Sequence, residues 1–264
     1  MKAKLLDAKL LNAWKLLRKD LNSTRCVTLH ASRFPQLDVW LHYFLKGTLL
    51  SKEPFFNRAF VLAACTYFGC AYYQACDNLK ADREIALATF NSDGLALRAA
   101  PTELQADYDV VLRACLQHGD ALRYASAMLQ ADRNVVLAAV RNEGPALQYA
   151  SKQLRADRDV VLEACMRDGD ALEFASAVLQ ADRGVVLAAC RNRGFALRHV
   201  SRQLRADRDV VLEACMHDGD ALKYASAELR ADRDVVLAAC QNHKRALQYA
   251  SEQLQADLDL FAKI

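Results

Sequence analysis

Apolar positions recur along this chain with a period of 25 residues, in groups whose internal spacing is helical. In the stretch from Asp107 to Ala131, Val110, Val111, Ala114 and Cys115 stand at i, i+1, i+4 and i+5 and so share one helix face. Asp109, Arg113, Leu116 and Gln117 fall on the opposite face, and their columns vary most between repeats. Other columns hold their register far along the chain. One is Asp82, Asp107, Asp132, Asp157, Asp182, Asp207, Asp232 and Asp257; a second runs from Ala71 to Ala246 and a third from Leu79 to Leu254. A fixed period of this size marks a repeat array, whose units bury their apolar faces only against their neighbours.

Each repeat reads as two short helices. The aspartate stands before a β-branched, Leu-rich run, where its carboxylate can accept the orphan N–H groups of a first turn. Asn57 holds the same column, so the column is selected for capping rather than for charge. Gly69, Gly94, Gly119, Gly144, Gly169, Gly194 and Gly219 follow the run, which predicts a left-handed C-cap, with Lys244 the one departure. A second helix is expected at Ala121–Ala125, closed by the column of Ser126, Ser151, Ser176, Ser201, Ser226 and Ser251. Pro101 in that column places it at the end of a helix, opening a tight turn or 3₁₀ segment toward the next Asp. Two helices of roughly eight to eleven residues each, with two turns, use up the period. Eight repeats run from Asn57 to Ala256, and residues 257–264 begin a truncated ninth.

A period of 50 overlies that of 25. Arg113, Glu163 and Glu213 alternate with alanines, and Leu116, Met166 and Met216 alternate with Asn91, Arg141, Arg191 and Gln241. Asp120, Asp170 and Asp220 alternate with Leu95, Pro145, Phe195 and Arg245. The building block is therefore a pair of repeats. The pattern L-x-A-D-R-D-V-V-L-x-A-C-x-x-x-G-x-A-L-x-Y-A-S, doubled to about fifty residues over 57–257, resembles the tandem helical repeat known as domain of unknown function 4116. That resemblance implies an all-α solenoid of the kind found in repeat-rich proteins of protists and of bacteria living inside amoebae, and hence a host-directed bacterial effector. It brings no catalytic residues.

The charge is unevenly placed. Residues 1–56 hold ten Lys/Arg against four Asp/Glu, whereas the remainder is nearly balanced at 25 against 28. Within the basic segment, Lys2 to Leu21 reads as an amphipathic helix with Leu6, Leu10, Trp14 and Leu17 on one side. Either it caps the first repeat, as solenoids require, or it lies on an anionic membrane through Trp14, Lys9, Lys15 and Arg18. Two domains follow: a helical segment at 1–56 and the repeat array at 57–264. No run of 18 apolar residues predicts a transmembrane helix, and Lys9 and Lys15 interrupt any secretory signal. Cys65, Cys115, Cys165, Cys190, Cys215 and Cys240 share a column with Phe90 and Val140, which makes it an apolar core position holding reduced thiols. A reducing, cytoplasmic compartment is the matching expectation, with delivery into a host cytosol under the effector reading.

Candidate chemistry is sparse. The column of Arg58, Arg83, Arg133, Arg158, Arg183, Arg208 and Arg233 is either a phosphate-binding ladder or a solvated one beside its acidic neighbours, and the array's net charge favours the latter. Cys65, Cys70 and Cys76 lack the tight pairs of a structural zinc site, as does Cys215 with His217. No catalytic residue, metal ligand or cofactor is therefore nominated, and a small-molecule ligand is not expected. A protein partner is expected on the variable face: Arg113, Leu116, Gln117, Glu163, Met166, Arg167, Arg191, Glu213, Met216 and His217. The methionines there either meet that partner or pack between paired repeats. If they pack, the surface moves to the second helices, around Arg123, Gln148 and Glu173.

Overall fold

A computed structural model of the protein describes residues 58–257. The N-terminal segment, including Lys9, Trp14, Lys15 and Arg18, lies outside the described residues, as do Asn57 and residues 258–264. The fold is the all-α solenoid expected, and no strand occurs among the described residues. The described residues fall into two compact units that divide between Leu104 and Gln105.

In the second unit the long helices are Tyr108–Gln117, Arg133–Asn142, Arg158–Arg167, Arg183–Asn192, Arg208–His217 and Arg233–Asn242. Each begins at the predicted aspartate. Asp132, for example, accepts from the N–H of Asn134 and Val135 at 2.9 and 3.0 Å. Each buries the predicted face, Val110, Val111, Ala114 and Cys115 being fully enclosed, as are their counterparts Val135, Val136, Ala139 and Val140. In the first unit, Arg58–Tyr67 and Arg83–Phe90 follow the same plan, with Phe90 filling the cysteine column.

The second element differs from expectation. It is a six-residue 3₁₀ helix, as at Gly119–Tyr124 or Gly169–Phe174, not an α-helix. Six residues are too few to reward an α nucleus, yet at about 2.0 Å rise they cover about 12 Å, most of the length of the ten-residue α-helix beside them. Ser126 and its equivalents then open the turn toward the next aspartate, as the proline in that column indicated. Leu129–Ala131 and Leu154–Ala156 are brief 3₁₀ turns there, and Ala227–Arg230 is a turn of α-helix.

The glycine column is not a set of left-handed caps. No described residue, glycine included, has a positive φ. The long helix instead stops by turning extended at one residue, such as His118. Glycine is required by the neighbouring layer: a Cβ on Gly119 would stand 2.5 Å from the Ala139 carbonyl oxygen, and one on Gly144 2.6 Å from that of Ala164. Closeness between repeats, rather than backbone twist, selects the residue.

Three sets of contacts hold successive repeats together. The Ser126, Ser151, Ser176, Ser201, Ser226 and Ser251 amides donate to the carbonyls of Gln105, Gln130, Arg155, Gln180, Arg205 and Arg230 at 2.8–3.0 Å. The arginine column forms a second set: Arg133 reaches Asp157 at 3.3 Å and Asp159 at 3.1 Å, and Arg183 and Arg208 repeat this two and three layers on. A third set alternates and produces the 50-residue period. Asn142, Asn192 and Asn242 each donate to the last helix carbonyls of the preceding repeat (Leu116, Met166 and Met216, 2.9–3.0 Å). Their side-chain oxygens accept from the Gly119, Gly169 and Gly219 amides. Between these clamped boundaries, Arg141 binds Glu163 through two nitrogens and Arg191 binds Glu213 at 3.1 Å.

Pro101 interrupts the backbone rungs in the first unit. It has no N–H to offer the Lys80 carbonyl, the acceptor at the corresponding place. There the hydroxyl of Tyr72 donates to Lys80 O at 2.5 Å, and Tyr72 is the one aromatic residue in a column otherwise filled by Leu97, Leu122, Leu147, Leu172, Leu197, Leu222 and Leu247.

Candidate interaction surface

The long helices of the second unit bury one face and leave the other to solvent. Leu116, Met166 and Met216 sit there with 52, 68 and 65% of their surface exposed. The alternative that they pack between paired repeats does not hold: the space between repeats is filled by the valine, alanine and cysteine columns. Layers of packed helices lie about 8–10 Å apart, so Met166 and Met216, two layers apart, are separated by roughly 16–20 Å. At the same address in the intervening repeats stand Arg141 and Arg191, both exposed. The stripe alternates apolar and guanidinium side chains.

The other residues nominated from sequence are placed unequally. Arg113, Gln117, Arg167 and His217 are exposed, while Glu163 and Glu213 are half-buried. Much of the charge is already engaged within the array. The Arg141 guanidinium holds the Glu163 carboxyl below its ordinary range, and Glu213 lies between Arg191 and His217, whose Nε2 is 3.5 Å away. Arg167 donates to the Asn142 carbonyl at 3.1 Å. The apolar members of the set, Leu116, Met166 and Met216, present their side chains to solvent. Arg123, Gln148 and Glu173, the alternative address, are also exposed.

The arginine ladder is an ion-paired one. The guanidinium groups of Arg58, Arg133, Arg158, Arg183, Arg208 and Arg233 bind the column aspartate of the next repeat, and those of Arg58, Arg133, Arg183 and Arg208 also bind the acidic residue 26 positions on. Asp82 is held below its ordinary range by Arg58, and Asp182 by the Val185 amide and then Arg158. In Asp157, Asp207 and Asp232 partial burial works against the charge, and the amide and guanidinium donors outweigh it. The column thus serves as helix cap and interlayer bridge at once.

Cys115, Cys165, Cys190 and Cys215 are buried thiols whose desolvation pushes them up to about 12, and Cys65 goes to about 11 for the same reason. Cys70 and Cys76 are half-buried, and they do not converge with Cys65 as metal ligands. Among the described residues one group does converge: Asp218, Asp220 and His243, with potential ligand atoms within 4.8 Å of one another. Sequence spacing gave no sign of it, because the histidine belongs to the following repeat. The asparagine clamps were missed similarly. Asn142, Asn192 and Asn242 share a column with Gln117, Arg167 and His217, and the mixture reads as variation until alternate repeats are separated.

Fold and surface together define an α-helical tandem-repeat protein with a constant, self-bracing core and a variable helix face. The family described as Domain of unknown function (DUF4116) matches it seven times in overlapping tandem, at residues 57–105, 89–130, 107–155, 132–180, 157–205, 182–230 and 207–255, and the chain belongs to that family. No curated protein and no solved structure matches the chain.

Proposed function

We propose that this chain is a non-enzymatic scaffold that recognises a protein partner through the long-helix face of residues 105–257. The observation that carries this reading is the stripe of Leu116, Met166 and Met216. These are large apolar side chains recurring at one address every second repeat, and Arg141 and Arg191, which hold that address in the repeats between, are paired with Glu163 and Glu213. In repeat arrays the invariant columns build the core and the solvent columns are free to specify a partner. Methionine suits that role because its unbranched chain adapts to the surface it meets. A host-directed effector acting in a reducing compartment is the setting that fits the family resemblance and the unbonded thiols. No helix among the described residues is long and apolar enough to cross a membrane. The ladder guanidiniums are taken up by aspartates, which counts against their use as a phosphate-binding surface.

The test compares two proteins in the same capture. Wild type and the Met166→Asp/Met216→Asp variant are used as baits in host-cell lysate, with circular dichroism run on both. A partner retained by wild type and lost by a variant of unchanged helical content supports the reading. Identical sets of captured proteins would refute it.

A further inference from the structure

We propose that Asp218, Asp220 and His243 form a site for a divalent transition-metal ion of the zinc type. Asp220 is 3% exposed, and its carboxylate is split in role. Oδ2 is bound by the Arg245 guanidinium, whereas Oδ1 is buried without a hydrogen-bond partner. Asp218 accepts the Asp220 amide at 3.0 Å, and its Oδ1 lies 3.5 Å from His243 Nδ1. A buried carboxylate oxygen with no donor carries a desolvation penalty that an ion or a donor would remove.

The array contains its own comparison. One pair of repeats earlier, Asp168 and Asp170 hold the same two places, and Arg193 stands where His243 does. Arg193 Nη1 binds Asp170 and lies 3.6 Å from Asp168, and Arg198 Nη2 approaches Asp170 Oδ1 at 3.7 Å. Two guanidinium groups thus lie against that acidic pair, although Asp170 Oδ1, like Asp220 Oδ1, is buried without a hydrogen-bond partner and has only the Arg198 charge near it. At the second pair Gln248 replaces Arg198 and His243 replaces Arg193, so Arg245 alone supplies a fixed cation. The later site lacks one positive charge and gains an imidazole in the place of the missing guanidinium.

Two carboxylates and an imidazole select borderline transition ions over calcium or magnesium, which prefer all-oxygen shells. Ligand bonds of about 2.1 Å require ligand atoms about 3.4 Å apart; Asp218 Oδ1 and His243 Nδ1 stand near that separation, and the three groups lie within 4.8 Å of one another. Asp218 and His243 are partly exposed and can close that gap, while Asp220 is fixed by its burial and by Arg245 on its far oxygen, an outer contact of the kind that orients metal-binding carboxylates. Three protein ligands leave the remaining positions to water.

Calorimetric titration of the full chain with zinc chloride tests the site, using wild type, His243→Ala, His243→Arg and, as a neighbouring exposed histidine, His217→Ala. The expected result is one saturable site in wild type and in His217→Ala, weakened at least about tenfold in both His243 variants. His243→Arg installs the residue that the array already uses at position 193, so its loss of binding is not a loss of folding; circular dichroism verifies this. Absence of saturable binding in wild type would overturn the proposal. Undiminished binding in both His243 variants would overturn it equally, assigning the ion to other groups.

Discussion

Replacing Tyr72 by Phe removes one hydroxyl and nothing else. The ring is fully buried and sits edge-on to Phe90 at 5.6 Å between centroids, so its packing survives. What is lost is the donor to the Lys80 carbonyl, in the one place where Pro101 supplies no backbone N–H. A part-buried carbonyl left unpaired costs about 1–3 kcal/mol. Pro101→Ser on its own adds a donor to an acceptor already served and frees the unfolded chain, for an expected loss of about 0.4–1 kcal/mol. Combined with Tyr72→Phe, it restores the rung that Ser126, Ser151 and the others make, and the double variant should recover about 1–2 kcal/mol relative to the sum of the singles. Because repeat arrays open in parts, the readout is native-state hydrogen exchange of the amides of Leu79, Lys80 and Ala81, alongside urea denaturation. Additivity of the two changes within about 0.3–0.5 kcal/mol would refute the argument that tyrosine stands in for the missing N–H.

Other consequences follow from the same contacts. Gly144→Ala forces a Cβ against the Ala164 carbonyl and the Asp168 side chain and should lower stability by about 1–3 kcal/mol in urea titration; a neutral effect would mean that the layers are less close than described. Thiol labelling of Cys165, Cys190 and Cys215 should be slow at neutral pH and become fast on denaturation, since burial pushes each to about 12. The capping aspartates Asp82, Asp157, Asp182, Asp207 and Asp232 are depressed in the folded state relative to an unfolded value of about 3.9. The unfolded chain therefore binds more protons in that range. The stabilisation is complete above about pH 4 and is lost as pH falls through the folded values, which urea midpoints measured between pH 6 and pH 2.5 will show.

The repeat period, the aspartate caps and the buried face of the long helix were legible because each depends on residues close in sequence. A cap acts two or three positions away, and a helix face is read from spacings of three and four. The glycines were legible as special but assigned to the wrong cause: a left-handed cap and a close approach to the next layer both select glycine, and only Ala139 O beside Gly119 distinguishes them. The 3₁₀ form of the second element was hidden because six residues give too little periodicity to separate a turn of 3.0 from one of 3.6. Contacts reaching 22 to 26 residues away were the least legible. Arg133 with Asp157, Asn142 with Leu116 and Asp220 with Arg245 join adjacent layers, and a column compared only with itself does not show which column it faces. The 50-residue alternation held that information in another form, since Glu163 and Arg141 alternate in step because they meet.

The claim that the long-helix face receives a protein is tested most directly by a photo-crosslinking side chain placed singly at Met166, at Met216 and, for contrast, at the exposed Gln153 of the inter-helix turn, in host-cell lysate. The account predicts one common adduct of discrete mass from positions 166 and 216 and none from 153. An adduct formed at 153 while 166 and 216 stay unmodified would contradict it.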